Sequence, residues 1–192
     1  RSLSENLMSN GVRLEMILFY PYGTLYVNDA TATLNNVTIS NNRSESVNSE
    51  GMAIYADNST VTLNDCVVSG NINNEKVHYA ESVIGAEDST LIINNTDFTD
   101  NGRISDTMDI DYSHLFYLSG GRLTIVGGNI KNNAADKLFY FDDSQADING
   151  VTITDNASVV LDVDNDSKKV TLTECILGNN SPIKYDEDIV VD

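Results

Sequence analysis

An asparagine recurs along this sequence at intervals that match one coil of a repeating fold. Apolar residues precede every copy at three fixed positions, ten, eight and three residues earlier. Self-similarity at such a period is typical of solenoids and other repeat architectures. The six copies are Asn42, Asn71, Asn101, Asn133, Asn156 and Asn180, separated by 29, 30, 32, 23 and 24 residues.

Each repeat predicts three short strands joined by bends. The positions ten and eight before the asparagine alternate as in a strand, a polar pair such as Asn64-Asp65 indicates a bend, and a second strand ends at the asparagine. A third strand precedes these two and is predicted at 24–27, 52–56, 82–86, 115–118, 138–141 and 159–163. The sequence therefore predicts an all-β fold, a right-handed parallel β-helix solenoid of about six full coils.

Residues 1–192 are predicted to form a single β-helix domain. The longer repeats carry insertions at 43–50, 72–81 and 102–113, always at the same point after the asparagine, which predicts one decorated corner. No amphipathic helix is recognisable at either end, although open β-helix edges need capping. We therefore interpret the chain as an excerpt of a longer repeat protein, whose neighbouring coils would be its partners.

The asparagine column has two predicted structural roles. A tight corner needs a residue that tolerates the left-handed conformation, and asparagine does so better than other non-glycine residues. Stacked corner asparagines are also expected to hydrogen-bond to one another along the helix axis.

The charge of the chain limits its partners. Eleven Lys and Arg against 29 Asp and Glu give a formal charge of -18. Such a charge repels nucleic-acid phosphates and anionic lipid head groups, so we predict no nucleic-acid binding. No apolar run approaches the roughly 20 residues that a membrane span needs, so we predict no membrane insertion by this segment. Divalent cations and basic partners remain compatible with the charge.

A recurring acid follows the third strand of most coils, in turns that would stack at about 4.8 Å. Oxygen-rich clusters of this kind are what calcium prefers. Asp162, Asp164 and Asp166 also repeat the opening spacing of a calcium loop, although Ser167 and Thr173 replace its glycine and its glutamate. The turns are Asn28-Asp29, Asp57-Asn58, Glu87-Asp88, Asp142-Asp143 and Asp164-Asn165-Asp166.

Two interpretations of this acidic column stay open. One is a solvated turn, in which Asp and Asn simply favour the bend. The other is a calcium site formed by Asp142, Asp143, Asp162, Asp164 and Asp166. No cofactor is predicted to be required in either case.

The repeat register also constrains the cysteines and histidines. Cys66 and Cys175 occupy the same column four coils apart, about 19 Å at the interstrand spacing, whereas a disulfide needs Cα atoms within about 7 Å. Both are therefore predicted to be buried free thiols. His78 and His114 fall in insertions and are predicted to be solvated loop residues.

Two short motifs carry a resemblance to known proteins. Gly51-Met52-Ala53-Ile54 resembles a glycine-glycine-alanine-aliphatic box, and Phe98-Thr99-Asp100-Asn101 matches a phenylalanine-x-x-asparagine box. Both boxes are typical of polymorphic outer-membrane and adhesin-like surface proteins, and the coil pattern is similar to the right-handed β-helix repeats of the pectin-lyase-like superfamily. The other copies of the second box carry Ile, Val or Leu in place of phenylalanine. The resemblance implies a β-helix, an extracellular or cell-surface location and an adhesive role.

Enzymes of this superfamily provide the alternative function. The resemblance implies that lyases pair calcium-binding carboxylates with a basic residue that abstracts a proton, and that hydrolases need aspartates, a glycine-histidine-glycine and an arginine-x-lysine. Here the basic residues are scattered in turns and insertions, and neither histidine has those neighbours. No catalytic residue is therefore predicted.

The sequence thus favours a non-enzymatic extracellular scaffold or adhesin-like β-helix that binds a protein or carbohydrate surface ligand. A polysaccharide lyase or hydrolase is the alternative, and a structural component of a filament or appendage is a second alternative.

Overall fold

The computed structural model describes residues 2–3, 7–10, 13–14, 17–18, 23–44, 50–73, 81–102, 113–157, 159–163, 169–180 and 189–191. Within these ranges every regular element is a β-strand. In chain order the strands are β1 (Ser2–Leu3), β2 (Leu7–Asn10), β3 (Arg13–Leu14), β4 (Ile17–Leu18), β5 (Leu25–Asn28), β6 (Thr31–Asn35), β7 (Thr38–Ser40), β8 (Arg43–Ser44), β9 (Glu50–Asp57), β10 (Thr60–Asn64), β11 (Val67–Ser69), β12 (Ile72–Asn73), β13 (Glu81–Glu87), β14 (Thr90–Asn94), β15 (Asp97–Thr99), β16 (Ser113–Ser119), β17 (Arg122–Val126), β18 (Asn129–Lys131), β19 (Lys137–Asp142), β20 (Gln145–Asn149), β21 (Thr152–Thr154), β22 (Val159–Val163), β23 (Lys169–Thr173), β24 (Ile176–Gly178) and β25 (Ile189–Val191).

Parallel pairing between successive coils builds three long sheets. Sheet A has the strand order β1-β5-β9-β13-β16-β19-β22, sheet B has β2-β6-β10-β14-β17-β20-β23-β25, and sheet C has β24-β21-β18-β15-β11-β7-β3. A short fourth sheet, β12-β8-β4, lies just after the asparagine column, where the insertions begin. Six coils, from β5-β6-β7 to β22-β23-β24, contribute one strand to each long sheet. The predicted parallel β-helix of about six coils is confirmed.

The apolar columns of the repeat form the core. Leu34, Leu63 and Ile93 pair across β6, β10 and β14, and each is at most 1 % exposed. Farther along the axis the interior is aromatic: the rings of Phe98 and Phe116 meet edge to face at 4.8 Å, and those of Phe116 and Phe139 stack at 5.1 Å. Strand alternation and coil stacking thus place one side of the sheet B strands in the core, as in β10 and β14.

The left-handed corner residue stands one position earlier than predicted. The residue before each repeat asparagine has a positive φ, as at Asn41 (54°), Asp100 (56°) and Asp155 (57°), whereas none of the asparagines Asn42, Asn71, Asn101, Asn133, Asn156 and Asn180 does. The expectation that the asparagine itself supplies this conformation was wrong. The preceding residue makes the bend, and the asparagine is buried in every coil but the last, where Asn180 is half-buried.

The second predicted role of the asparagines, an axial hydrogen-bond ladder, is confirmed. Each side-chain Nδ2 donates to the Oδ1 of the asparagine one coil later, at 2.7 to 3.0 Å from Asn42 through to Asn180. The same Oδ1 also accepts the preceding asparagine's backbone N–H. The side-chain amides of the five buried asparagines are therefore satisfied, as buried polar groups require.

The two cysteines are free thiols, as predicted. Cys66 is buried at the corner between sheets B and C, and burial raises the pKa of its thiol. Cys175 is only half-buried, so the prediction of burial holds for Cys66 and was wrong for Cys175.

Candidate functional site

The aspartates of the predicted calcium site occupy separate contacts where the structure describes them. Asp142 ends β19 and accepts the Ser119 hydroxyl at 3.1 Å, Asp143 follows it with φ 41°, and Asp162 binds Lys137 Nζ at 2.7 Å. Asp164 and Asp166 lie outside the described residues. In the part of the chain that the structure describes, no three His, Cys, Asp or Glu side chains converge to hold a metal ion. The calcium site stays a prediction.

The acidic column forms the corner between sheets A and B. Asp29, Asn58, Asp88 and Asp143 take the left-handed conformation there, with φ between 41° and 49°. Asp and Asn are the non-glycine residues that enter this region most readily. These φ values agree with the interpretation that the residues favour the bend.

Three coils of this corner repeat one tripeptide and line an open groove of about 370 Å³, here called the corner groove. An Asp or Asn comes first, a small residue second and a threonine third. Thr31, Thr60 and Thr90 stack in register across β6, β10 and β14. The residues that line the corner groove are Asp29, Ala30, Thr31, Asn58, Ser59, Thr60, Asp88 and Thr90.

Hydrogen bonds between coils hold the corner groove in shape. Asn58 Nδ2 donates to Asp29 Oδ1 at 2.6 Å. Beneath it, the buried hydroxyl of Ser59 accepts the Ala30 N–H at 3.0 Å, and the hydroxyl of Ser89 accepts the Ser59 N–H at 2.9 Å. These contacts fix the backbone of the corner. The Cα positions from which the carboxylates, the amide and the hydroxyls project into the groove are therefore fixed as well.

The outer surface of sheet A carries an aromatic column, here called the tyrosine face: Tyr26, Tyr55, Tyr117 and Tyr140. The four share one register position, with Gly85 between Tyr55 and Tyr117. Tyr26 stacks on Tyr55 at 5.6 Å, and Tyr117 stacks on Tyr140 at 5.5 Å with the rings 7° from parallel. Tyr55 is only 4 % exposed, while the other three are half-buried.

Carboxylates border the tyrosine face in three of its five coils, while Asn28 and Ser119 take the same position beside Tyr26 and Tyr117. Asp57, Glu87 and Asp142 stand two residues beyond the aromatic column in the same strands. The Tyr26 hydroxyl donates to Asp57 Oδ2 at 3.4 Å. Burial, together with nearby Asp142 and Glu87, raises the pKa of Tyr117, which therefore keeps its proton and remains a hydrogen-bond donor at neutral pH.

His114 belongs to this face, and the prediction of a solvated loop histidine was wrong. It lies in β16, is 5 % exposed, and its ring sits 5.0 Å from that of Tyr140 and 5.7 Å from that of Tyr117. Burial and the neighbouring Lys137 lower the pKa of His114 to about 4, against a smaller opposing effect of Asp162. The Nδ1 atom has no hydrogen-bond partner. His78 lies outside the described residues.

Lys137 closes the end of the tyrosine face. Its Nζ binds Asp162 at 2.7 Å and stands 5.0 Å from the centre of the Tyr140 ring. A cation held by a ring and a carboxylate together is a stable arrangement. The tyrosine face was not predicted from the sequence. The signal was present, because each of its four tyrosines stands sixteen residues before a repeat asparagine.

Comparisons with known proteins give no relative. No family model matches the chain, and neither a curated protein nor a solved structure matches it significantly. The part of the chain that the structure describes has no helix long and apolar enough to cross a membrane. The parallel β-helix therefore rests on the strand pairing alone, and the resemblance to pectin-lyase-like and adhesin-like repeats stays an expectation.

Proposed function

We propose that this chain is a non-enzymatic, extracellular binding scaffold of the adhesin type, and that the tyrosine face is its ligand-binding surface. The observation that carries the proposal is the stack of the half-buried Tyr117 and Tyr140 on sheet A, with Asp142 at the end of the same strand as Tyr140.

Aromatic side chains supply the larger share of binding energy at many protein surfaces. Tyrosine combines a large apolar ring with a polar hydroxyl and few rotatable bonds. Here Tyr117 and Tyr140 are already stacked on adjacent strands, so a ligand would not bear the entropic cost of ordering them. The parallel sheet beneath gives the rigid support that such a surface needs.

The test uses a double variant of the tyrosine face. The fluorescently labelled chain is applied to immobilised fibronectin, collagen and laminin, and Tyr117→Ser with Tyr140→Ser should abolish the binding that the unchanged chain shows to any of these proteins. Ile92→Ser is the matched control, because Ile92 is a half-buried apolar residue on the outer surface of sheet B. The proposal fails if the unchanged chain binds none of the three proteins, or if the double variant binds as well as the control.

A polysaccharide lyase is the second candidate, and one observation favours it. The unpartnered Nδ1 of His114 lies beside two tyrosines and Lys137, groups that act as proton donors and acceptors in catalysis. Lyase activity on polygalacturonate or alginate would give an unsaturated product that absorbs in the ultraviolet, and His114→Ala should remove it. Absence of this absorbance with the unchanged chain excludes the candidate for these substrates.

A further inference from the structure

We infer that the corner groove is a second binding site, distinct from the tyrosine face, which takes a neutral polysaccharide chain lying along the helix axis. The inference rests on the repeated chemistry of the groove, on the spacing of its coils and on its charge.

The groove repeats one set of groups at a fixed spacing. Asp29-Ala30-Thr31, Asn58-Ser59-Thr60 and Asp88-Ser89-Thr90 belong to three successive coils, which follow one another at about 4.8 Å, the ordinary interstrand distance. A ligand that satisfies all three coils must itself present similar groups at a short, regular interval. An extended chain of sugar rings does so.

The groups of the groove suit hydroxyl ligands. A carboxylate accepts hydrogen bonds only, a threonine hydroxyl donates and accepts, and an asparagine amide does both through separate atoms. Sugar hydroxyls likewise donate and accept, so each coil offers a complementary pair of groups. Thr60 and Thr90 are half-buried and Asn58 is exposed, which leaves these groups at the surface of the groove.

Charge and geometry exclude other ligand classes. Asp29 and Asp88 would repel a uronic-acid chain. They stand two coils apart, about 9.6 Å at the interstrand spacing, with Asn58 between them, so they do not converge on a calcium ion. The groove lining also contains no aromatic or arginine side chain, the usual anchors of a protein partner.

The next coil ends the groove. Gly120-Gly121-Arg122 replaces the tripeptide there, and Arg122 is engaged by Asp147. A Cβ atom at Gly120, where φ is 66°, would lie 2.4 Å from Asp88 Oδ1. The glycine therefore leaves room for the last carboxylate of the groove.

Titration calorimetry with cellohexaose, mannohexaose and xylohexaose tests the inference. We expect at least one of the three to bind, and hexagalacturonate not to bind. Thr60→Val, which removes one hydroxyl and keeps the side-chain shape, should weaken binding about fivefold, as expected for the loss of one hydrogen bond. Thr124→Val is the matched control, because Thr124 faces outward on sheet B beyond the groove, and should leave the affinity unchanged.

Amide chemical shifts provide a second measurement on the unchanged chain. The neutral oligosaccharide should perturb Thr31, Thr60 and Thr90 and leave Tyr117 and Tyr140 unaffected. Three results overturn the inference: no binding by any neutral hexamer, tighter binding of hexagalacturonate, or perturbations confined to the tyrosine face. Because the double tyrosine variant leaves the groove intact, failure at one site is distinguishable from failure at the other.

Discussion

Glu174 stands in a backbone conformation that suits it poorly. It occupies the left-handed position at the corner between sheets B and C with φ 54°, where other coils have Asn36, Asp65, Asn95, Gly127 and Gly150. A side chain without the local hydrogen bonding of Asn or Asp pays about 1 kcal/mol there. Glu174→Gly is expected to raise the free energy of unfolding by about that amount, seen as a higher midpoint in thermal denaturation.

Glu174→Ala is the control for this prediction. Alanine keeps the Cβ atom and hence the left-handed penalty, so it should give no gain. A stabilisation by alanine equal to that by glycine would show that loss of the charge, and not the backbone conformation, is responsible.

His114 makes the stability of the protein depend on pH. Its pKa falls from 6.5 to about 4 on folding, because burial disfavours the charged imidazole. The unfolded chain therefore binds more protons between these values, so stability is fully present above pH 6.5 and decreases as the pH falls. The decrease attributable to His114 is about 3 kcal/mol by pH 4.

His114→Phe tests this dependence, since phenylalanine fills the aromatic environment without titrating. Urea denaturation at pH 7 and pH 4 should show a decrease in unfolding free energy that is smaller in the variant. Carboxylates such as Asp155, whose pKa is lowered by the Asn179 side chain, contribute equally to both proteins. Equal decreases in the two proteins would contradict the buried, neutral imidazole.

At the scale of the structural element, mutation of the asparagine ladder is expected to destabilise the fold strongly. Asn101 is 1 % exposed. Its Nδ2 donates to the Val68 carbonyl and to Asn133, while its Oδ1 accepts two bonds from Asn71. Asn101→Ala leaves several buried groups unsatisfied at about 1 to 3 kcal/mol each, so we expect a loss of at least about 3 kcal/mol in urea denaturation.

Asn94 in the same coil offers the matched control. Its Nδ2 also donates to an asparagine one coil away, Asn64 Oδ1 at 2.8 Å, but on the outer surface of sheet B. Water replaces such a bond, so Asn94→Ala should cost less than about 1 kcal/mol. Similar losses from both variants would mean that burial does not decide the strength of the ladder.

The elements show where sequence reasoning succeeds and where it stops. Strands such as β20 and β21 alternate strictly between core and surface. Apolar residues at fixed distances before the repeat asparagine were therefore enough to predict them. Strand β16 does not alternate: Leu115 and Phe116 are both buried. The strand was predicted at 115–118, whereas β16 runs from Ser113 to Ser119 and includes His114. The tyrosines stand sixteen residues before the repeat asparagine, and the acidic corner residues stand thirteen before it, so the sequence carries their alignment. Which of these side chains stack, and which line a groove, depends on contacts between coils that no single repeat reveals.

At the scale of the whole molecule, the formal charge of -18 opposes folding. Self-repulsion of a compact acidic chain is relieved when salt screens its charges, with a screening length of about 10 Å at 0.1 M. We predict that the thermal midpoint rises when NaCl is increased from 10 to 300 mM in low-concentration buffer, because the screening length falls roughly fivefold over this range. A midpoint that falls over this range would show that attractive ion pairs outweigh the repulsion.

Calcium separates this general effect from a specific site. The described carboxylates include no cluster of three, so CaCl₂ at matched ionic strength should raise the midpoint as much as NaCl does, unless Asp164 and Asp166 complete a site with Asp142, Asp143 and Asp162. A larger effect of calcium that disappears in Asp142→Asn with Asp143→Asn would establish that site. Asp29→Asn is the control, since Asp29 takes the same left-handed conformation in the same column. If Asp29→Asn removes the calcium effect as fully as the double variant does, the ion binds the acidic column as a whole. The stacked corners then act together as one extended anionic surface.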